Sequence, residues 1–446
     1  MLKVYSSVFY KIFTMRILQI SLVVYVTVIL MACSPNKSQS QPQEATQDTA
    51  GSATLPSPGE SKTSYNRVIG WPEGKTPIAP AGFTVTKYAG SLTNPRWIYV
   101  APNGDVFVAQ ATTESKKIAD VISGKSKSQN LGDSPNSIVL FRDTNKDGKP
   151  EVSKVFLSGL NRPFGMLIIG NFFYVANTDG VWMYPYKEGQ EDITSAGKKI
   201  LDLPAGGYNN HWTRNLIASP NNSKIYISVG SGSNVAEHGM QNESRRANIL
   251  EINPDGSGER IYASGLRNPV GMSWNPVSKV LWTSVNERDE LGDDLVPDYI
   301  TGLKDGGFYG WPYSYFGQHE DPRRAGENPE LVKKAIVPDV NLGAHTASLG
   351  LAFYNLTSFP EKYRNGAFIG QHGSWNRSTL AGYKVVFVPF KNGKPAGQLE
   401  DFLTGFIVEK GGNDVYGRPV SVAVTPDGAL LVADDAGNTI WRVAAK

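Results

Sequence analysis

From Tyr65 onward, short runs of Val, Ile, Tyr, Phe and Trp alternate with Gly, Pro, Asn and Asp. This is the pattern of β-strands separated by tight turns. No long stretch with helical periodicity interrupts it. The pattern also repeats. Asn94-Pro95-Arg96-Trp97-Ile98-Tyr99-Val100 leads through Pro102-Asn103-Gly104 into Val106-Phe107-Val108-Ala109. Arg418-Pro419-Val420-Ser421-Val422-Ala423-Val424 leads through Pro426-Asp427-Gly428 into Leu430-Leu431-Val432-Ala433 in the same way. Related copies open at Arg162-Pro163, Thr213-Arg214, Arg267-Asn268-Pro269 and Ala347-Ser348, six in all, roughly fifty to eighty residues apart. A hairpin repeated like this cannot bury both faces alone. Four-stranded blades packed around an axis can, and they leave only short edges. The chain is therefore predicted to be all-β, a six-bladed β-propeller over residues 65–446. The strand around Phe83 to Tyr88 is expected to complete a blade begun by the C-terminal strands. A β-helix is the competing architecture, and repeats this long and uneven fit it poorly. In a propeller, loops from several blades converge over the central channel. The polar residues opening each repeat are thus candidates to share one site.

The N-terminal stretch has a different texture. Arg16 precedes an almost wholly apolar run, Ile17 to Ala32, which ends in Leu30-Met31-Ala32-Cys33. A basic residue, a short apolar region and a small residue before the cysteine resemble a bacterial lipoprotein signal. That resemblance implies a signal peptide over residues 1–32 and a diacylglycerol on the Cys33 thiol. The expected location is the periplasm or cell envelope, with the membrane as partner through the lipid. Ser34 supplies no inner-membrane retention signal, which favours the outer membrane. A transmembrane anchor is the alternative, but the run falls short of the ~20 apolar residues a span requires. Residues 33–64 carry Ser, Gln, Thr, Pro and Gly, with Leu55 as their one large apolar residue, and are expected to form a disordered tether.

Composition alters this picture in two places. The formal charge of +3 comes from Lys3, Lys11 and Arg16, in a segment without acids; beyond it 41 basic residues face 41 acidic ones. Nothing there suits a nucleic-acid polyanion. Cys33 is the only cysteine, so a disulfide, a thiolate metal site and a Cys nucleophile are excluded from the folded region.

Three ordered elements then point to chemistry. They are Gly265-Leu266-Arg267-Asn268-Pro269-Val270-Gly271-Met272, Val285-Asn286-Glu287-Arg288-Asp289-Glu290, and Gly306-Gly307-Phe308-Tyr309-Gly310-Trp311-Pro312. With Asn209-Asn210-His211-Trp212-Thr213-Arg214, Gly343-Ala344-His345-Thr346, Gln371-His372-Gly373-Ser374-Trp375-Asn376-Arg377 and Gly417-Arg418-Pro419, they resemble the quinoprotein sugar dehydrogenases. The likeness is to the soluble glucose dehydrogenase and sorbosone dehydrogenase type, closer to the sorbosone branch. It spans nearly the whole folded region and implies a propeller that uses pyrroloquinoline quinone and Ca²⁺.

The residue chemistry agrees. An o-quinone bearing three carboxylates calls for cations, and the planar fork of Arg binds carboxylates bidentately. Arg267, Arg377 and Arg418 each stand in a loop at a repeat boundary; with Asn268 they are the expected cofactor-binding set. Ca²⁺ takes several oxygens, backbone carbonyls included. By resemblance, carbonyls near Asn286 and Glu287 would hold it, where it would polarise the quinone carbonyl. His211 is the expected general base, since a neutral imidazole can take the hydroxyl proton as hydride leaves the carbon. Arg267 would face the developing charge. In the resembling enzymes an Asp orients that His; here Ser231 stands at the matching place. The expected substrate is a sugar or sugar aldehyde. Electrons would pass to an external acceptor, because the chain has no Cys-x-x-Cys-His haem site.

Blander readings accompany each residue. Arg267 could tie loops together, and His211 could be a satisfied structural histidine. His345 and His372 lie in family-like loops without an assigned step, while His238 and His319 read as ordinary loop residues. Trp375 reads as core or pocket wall. Asp143-Thr144-Asn145-Lys146-Asp147-Gly148 resembles the start of a Ca²⁺-binding loop, but Lys154 occupies the place of the bidentate acid, so an acidic hairpin turn is expected, with a second, structural Ca²⁺ as the alternative. Two other function classes stay open: a calcium-dependent lactonase on a similar scaffold, and a non-catalytic binding propeller.

Overall fold

Each of the six repeats begins the innermost strand of a blade. The computed structural model describes residues 54–113 and 133–446. Five blades run in chain order from the axis outward: 95–157, 166–202, 214–264, 269–344 and 348–403, each built on four antiparallel strands. The sixth combines Pro419–Val424, Leu430–Asp434 and Thr439–Ala445 with Phe83–Ala89, which pairs antiparallel to the last strand from Phe83↔Ala445 to Ala89↔Ile440. The expected closure of the ring is thus present, and both ends of the folded region meet in one blade.

The strands alternate short β-branched and aromatic runs because both of their faces are covered, each blade packing on two neighbours. Second strands such as Val106–Gln110, Ile225–Val229 and Leu281–Val285 are buried along their whole length. Near the axis the inner strands come so close that a side chain does not fit. A Cβ on Gly271 would lie 2.5 Å from the Leu349 carbonyl oxygen of the next blade. One on Gly350 would collide with the Val420 carbonyl in the same way. These glycines fall inside strands because another backbone passes there.

Two departures from the simple repeat occur. Residues 303–339 are inserted between the third and fourth strands of the fourth blade. They carry Gly307–Phe308, which adds to the third blade, and a short helix, Pro329–Lys334. The second departure corrects an expectation. Disorder is expected through Ser64, yet residues 54–64 are ordered against the ring. Leu55 packs on the cluster shared by the third and fourth blades, and Gly59 N–H donates to the Leu291 carbonyl at 2.9 Å. Arg67–Val68 then pairs parallel with Asp414–Val415. Composition reads this segment as too polar to fold alone. It is ordered by borrowing partners from loops already fixed. Cys33, the expected signal segment 1–32 and the expected tether up to residue 53 lie outside the described residues. Among the described residues, no helix is long and apolar enough to cross a membrane.

Candidate active site

Strand register settles which loops meet. Pro95 pairs with Gln110, and Gln110 with Ser137, so the start of an inner strand and the turn between second and third strands share one end of the blade. Inter-blade connections and these turns therefore converge at the same end of the ring. There they line a cavity of about 300 Å³. Its wall draws on every blade: Arg96 from the first, Phe164 from the second, His211 from the third, Arg267 and Asn268 from the fourth, His345 and His372 from the fifth, Arg418 from the sixth. The Asp143–Gly148 turn lies at the opposite end, because Val106 pairs with Phe141 there. The carboxylates of Asp143, Asp147 and Glu151 lie within 4.8 Å of one another there, and Asp143 accepts from the Gly148 N–H at 2.7 Å.

His211 projects from the connection into the third blade. Its Nδ1 lies 2.9 Å from the Ser231 carbonyl and 3.0 Å from Ser231 Oγ. A carbonyl can only accept, so Nδ1 carries the proton. Ser231 Oγ in turn donates to the Ser233 carbonyl at 2.6 Å. Nε2 keeps its lone pair, with Asn210 Nδ2, a fellow cavity-lining residue, 3.5 Å away. Burial, and then the Arg267 guanidinium, hold the imidazole down at about 3, so it is neutral throughout the ordinary pH range. Where a carboxylate would favour the charged ring, Ser231 fixes orientation through neutral groups only.

Arg267 is 1% exposed and every N–H of its guanidinium has a protein partner. Nη1 donates to the carbonyls of Asn286 (3.2 Å) and Glu287 (2.5 Å). Nη2 donates to Asn234 Oδ1 (3.0 Å) and Asp289 Oδ2 (2.8 Å), and Nε to the Asn234 carbonyl (3.3 Å). The two carbonyls expected to hold a metal therefore do converge on a cation, and that cation is the Arg267 side chain. Burial works against a charge on Asp289, but Arg267 and then His345 outweigh it and keep its carboxyl at about 2. Glu287 itself is buried away from the cavity lining; burial pushes its carboxyl up to about 7 against the pull of Arg267.

On the other wall, Arg96 and Asp435 form a buried ion pair, and His372 Nε2 donates to both Asp435 oxygens at 2.9 Å. Burial and the neighbouring Arg418 lower His372 to about 4 despite that carboxylate. Arg418 Nε donates to the His372 carbonyl at 3.1 Å. One cluster thus joins the first, fifth and sixth blades. Arg96 Nε and Asn268 Oδ1 are buried without a hydrogen-bond partner among the described residues.

The structure gathers His211, Arg267, Asn268, Asn286 and Arg418 around one cavity, as expected. It does not bring Arg377 there. That guanidinium turns to the 293–294 loop, donating to the Asp293 carbonyl and pairing with Asp294, each at 2.9 Å. Its repeat-boundary position is right, but the side chain follows two nearby acids outward. Sequence reasoning missed Arg96, Asp289 and Asp435. Arg96 had a signal, since it opens the first repeat in the register of the other cations. Asp435 had none beyond its place after a strand.

The propeller shares its fold with solved structures of pyrroloquinoline-quinone-dependent sugar dehydrogenases, the PQQ-bound aldose sugar dehydrogenase of Streptomyces coelicolor among them (TM-score 0.53, 18% identity, 83% of this chain and 100% of that one). The chain belongs to the family described as Domain of unknown function (DUF7133), which matches residues 78–440. An uncharacterized protein of Borreliella burgdorferi is 33% identical over 299 residues, 64% of this chain and 76% of that one. The pyrroloquinoline quinone-dependent pyranose dehydrogenase of Coprinopsis cinerea is 24% identical over 424 residues, 81% of this chain. The chain spans about half the length of that enzyme, 54%. The solved holo form of the pyranose dehydrogenase quinone domain from Coprinopsis cinerea shares the fold, with a TM-score of 0.66 at 21% identity over 85% of this chain and 100% of that one.

Proposed function

We propose that this protein is an oxidoreductase that oxidises a sugar or sugar aldehyde with bound pyrroloquinoline quinone. The observation that carries this reading is one cavity holding a neutral, oriented imidazole on one wall and a buried cation cluster on another. The donors suit the cofactor. Arg96, Arg418, Asn268 and the His372 cluster would hold its carboxylates and ring polar atoms, and the unpartnered Arg96 Nε and Asn268 Oδ1 would gain partners. When bound, the quinone accepts the hydride equivalent. The chain's part is to orient the sugar hydroxyl, or for a sugar aldehyde a hydroxyl of its hydrate, towards His211 Nε2. That nitrogen takes the proton while the carbon gives up its hydride and becomes a carbonyl. The Ser231 contacts keep the ring in the tautomer whose Nε2 can accept a proton, with Asn210 Nδ2 3.5 Å from it.

Calcium is part of the proposal with one condition. The Asn286 and Glu287 carbonyls, Asn234 and Asp289 supply the hard oxygen ligands that Ca²⁺ takes. These oxygens now surround Arg267, so a metal there must displace the guanidinium. A lactonase reading is disfavoured, because Asp289 and Asp435 are each tied to Arg or His rather than gathered around an open axial position.

The test is a titration of the purified protein with pyrroloquinoline quinone and Ca²⁺, followed by a panel of aldoses and sugar aldehydes with a dye acceptor. Saturable binding and sugar-driven reduction are expected. His211→Ala should keep quinone binding and lose turnover by about 10²- to 10⁴-fold. Absence of binding at micromolar quinone would overturn the reading, and undiminished turnover in His211→Ala would overturn the role of the base.

A further inference from the structure

The segment expected to be a slack tether is a strap across the site end of the ring. Four hydrogen bonds fasten it to two loops that line the cavity. Gly59 N–H donates to the Leu291 carbonyl, and Gly292 N–H donates to Ser61 Oγ, both at 2.9 Å. Asn376 Nδ2 donates to the Lys62 carbonyl at 3.2 Å, and Ser64 N–H to the Trp375 carbonyl at 2.9 Å. The receiving loops are shaped for it. Gly292 has φ +105°, and a Cβ there would stand 3.3 Å from Gly59. Asn376 also accepts from the Glu290 N–H at 2.8 Å, which ties the fourth- and fifth-blade loops to each other under the strap.

The strap brings one aromatic ring to the site. Tyr65 lies against Trp375 with ring centroids 6.4 Å apart and planes 11° from parallel. Trp375 lines the cavity and Tyr65 does not, so the indole stands between the strap and the cavity. The cavity is also divided by charge. Its cations Arg96, Arg267 and Arg418 are all buried. Its exposed members, Tyr208, Asn210, Glu237 and Glu290, bring no positive charge. An anionic cofactor belongs with the buried cations. A neutral polyol is left with the polar mouth, where half-buried Trp375 offers an aromatic face. The C–H face of a pyranose carries the partial positive charge that the negative face of an indole attracts.

We propose that Trp375 is the platform on which the sugar ring stacks, and that Tyr65 of the N-terminal strap is its positioning residue. The strap thereby sets affinity for the substrate. This rests on the dehydrogenase reading above and adds to it a residue that precedes every blade strand. A neutral pyranose ring is the substrate class it selects, over an open-chain or anionic one.

The test uses the full chain as wild type, Tyr65→Ala, Tyr65→Phe and Trp375→Ala, with steady-state kinetics on aldopyranoses and a separate quinone titration. Tyr65→Ala should raise KM by about two- to tenfold, the worth of one aromatic pair, with kcat and quinone affinity unchanged. Tyr65→Phe should restore the wild-type KM, because the ring is what matters. Trp375→Ala should raise KM further. An unchanged KM in Tyr65→Ala and Trp375→Ala, in an enzyme that turns over sugar, would overturn the proposal and leave the dehydrogenase reading standing. A parallel fall in quinone affinity would also overturn it, because Trp375 would then be holding the cofactor. Failure of the wild-type protein to oxidise any sugar with quinone bound would instead remove the dehydrogenase reading and this proposal with it.

Discussion

At the scale of single residues, the site is a matter of who neutralises whom. His211 is neutral because it is buried and faces Arg267, and it is oriented by Ser231 without gaining a counter-charge. The consequence is a pH dependence with a definite sign. With the imidazole held at about 3, protonation of His211 sets no acid limb in kcat above about pH 4. Ser231→Asp places a carboxylate beside Nδ1, which favours the charged ring and raises its pKa by about one to three units. The proposed base then protonates as pH falls through the new value, so an acid limb should emerge in the pH–kcat profile. An unshifted profile would mean that another group limits the rate. The same scale shows where sequence reading reaches its end. Arg267, Asn268, Arg418 and His211 were legible, because repeat boundaries place them and their chemistry singles them out. Arg377 met the same criteria and turned away, drawn by Asp293 and Asp294, which are 84 and 83 residues distant in the chain. Asp289 and Asp435 were missed because an acid's meaning depends on its partner. Those partners, Arg267 for one and Arg96 with His372 for the other, come from other blades or other strands.

At the scale of elements, the strands were the most legible part. Hydrophobic runs, turn residues and the repeat located all six inner strands, because a strand covered on both faces must be apolar along its length. The glycines inside those strands carry a second message that pattern reading cannot supply, since it concerns the next blade. Gly271 faces the Leu349 carbonyl at a distance no Cβ tolerates. Gly271→Ala should therefore cost about 1–3 kcal/mol in overpacking, read as a lower Tm by calorimetry or circular dichroism. An unchanged Tm would show that the blades can separate near the axis at no cost. The strap over residues 54–64 is the opposite case. Its composition contains no folding signal, and only the loops it binds give it structure. Segments that borrow their order from a finished surface stay invisible to periodicity.

At the scale of the whole molecule, the ring is closed by hydrogen bonds and packing alone, and the site depends on that seam. The closing strand Phe83–Ala89 comes from the start of the folded region and its partner from the end. Phe83 anchors it, with ring centroids 4.7 Å from Phe359, 5.2 Å from Phe402 and 5.5 Å from Tyr363, all edge-on. Next to the seam, buried Asp434 accepts from Trp71 Nε1 at 2.6 Å and from the N–H of Arg418 and of Gly437 at 2.7 Å each. Asp435 beside it joins Arg96 of the first blade to His372 of the fifth. The cation cluster of the cavity therefore exists only while the ring is shut. Phe83→Ala removes a buried aromatic anchor, and the loss should be about 3–5 kcal/mol. Because every blade leans on two neighbours, that loss should appear in calorimetry as one cooperative transition at lower temperature. Saturating quinone should then raise Tm in both proteins, since a ligand of the folded ring alone stabilises it by mass action. Two separate transitions in Phe83→Ala, the earlier one insensitive to quinone, would mean that the closing blade melts without disturbing the site, and that the seam and the cavity are independent after all.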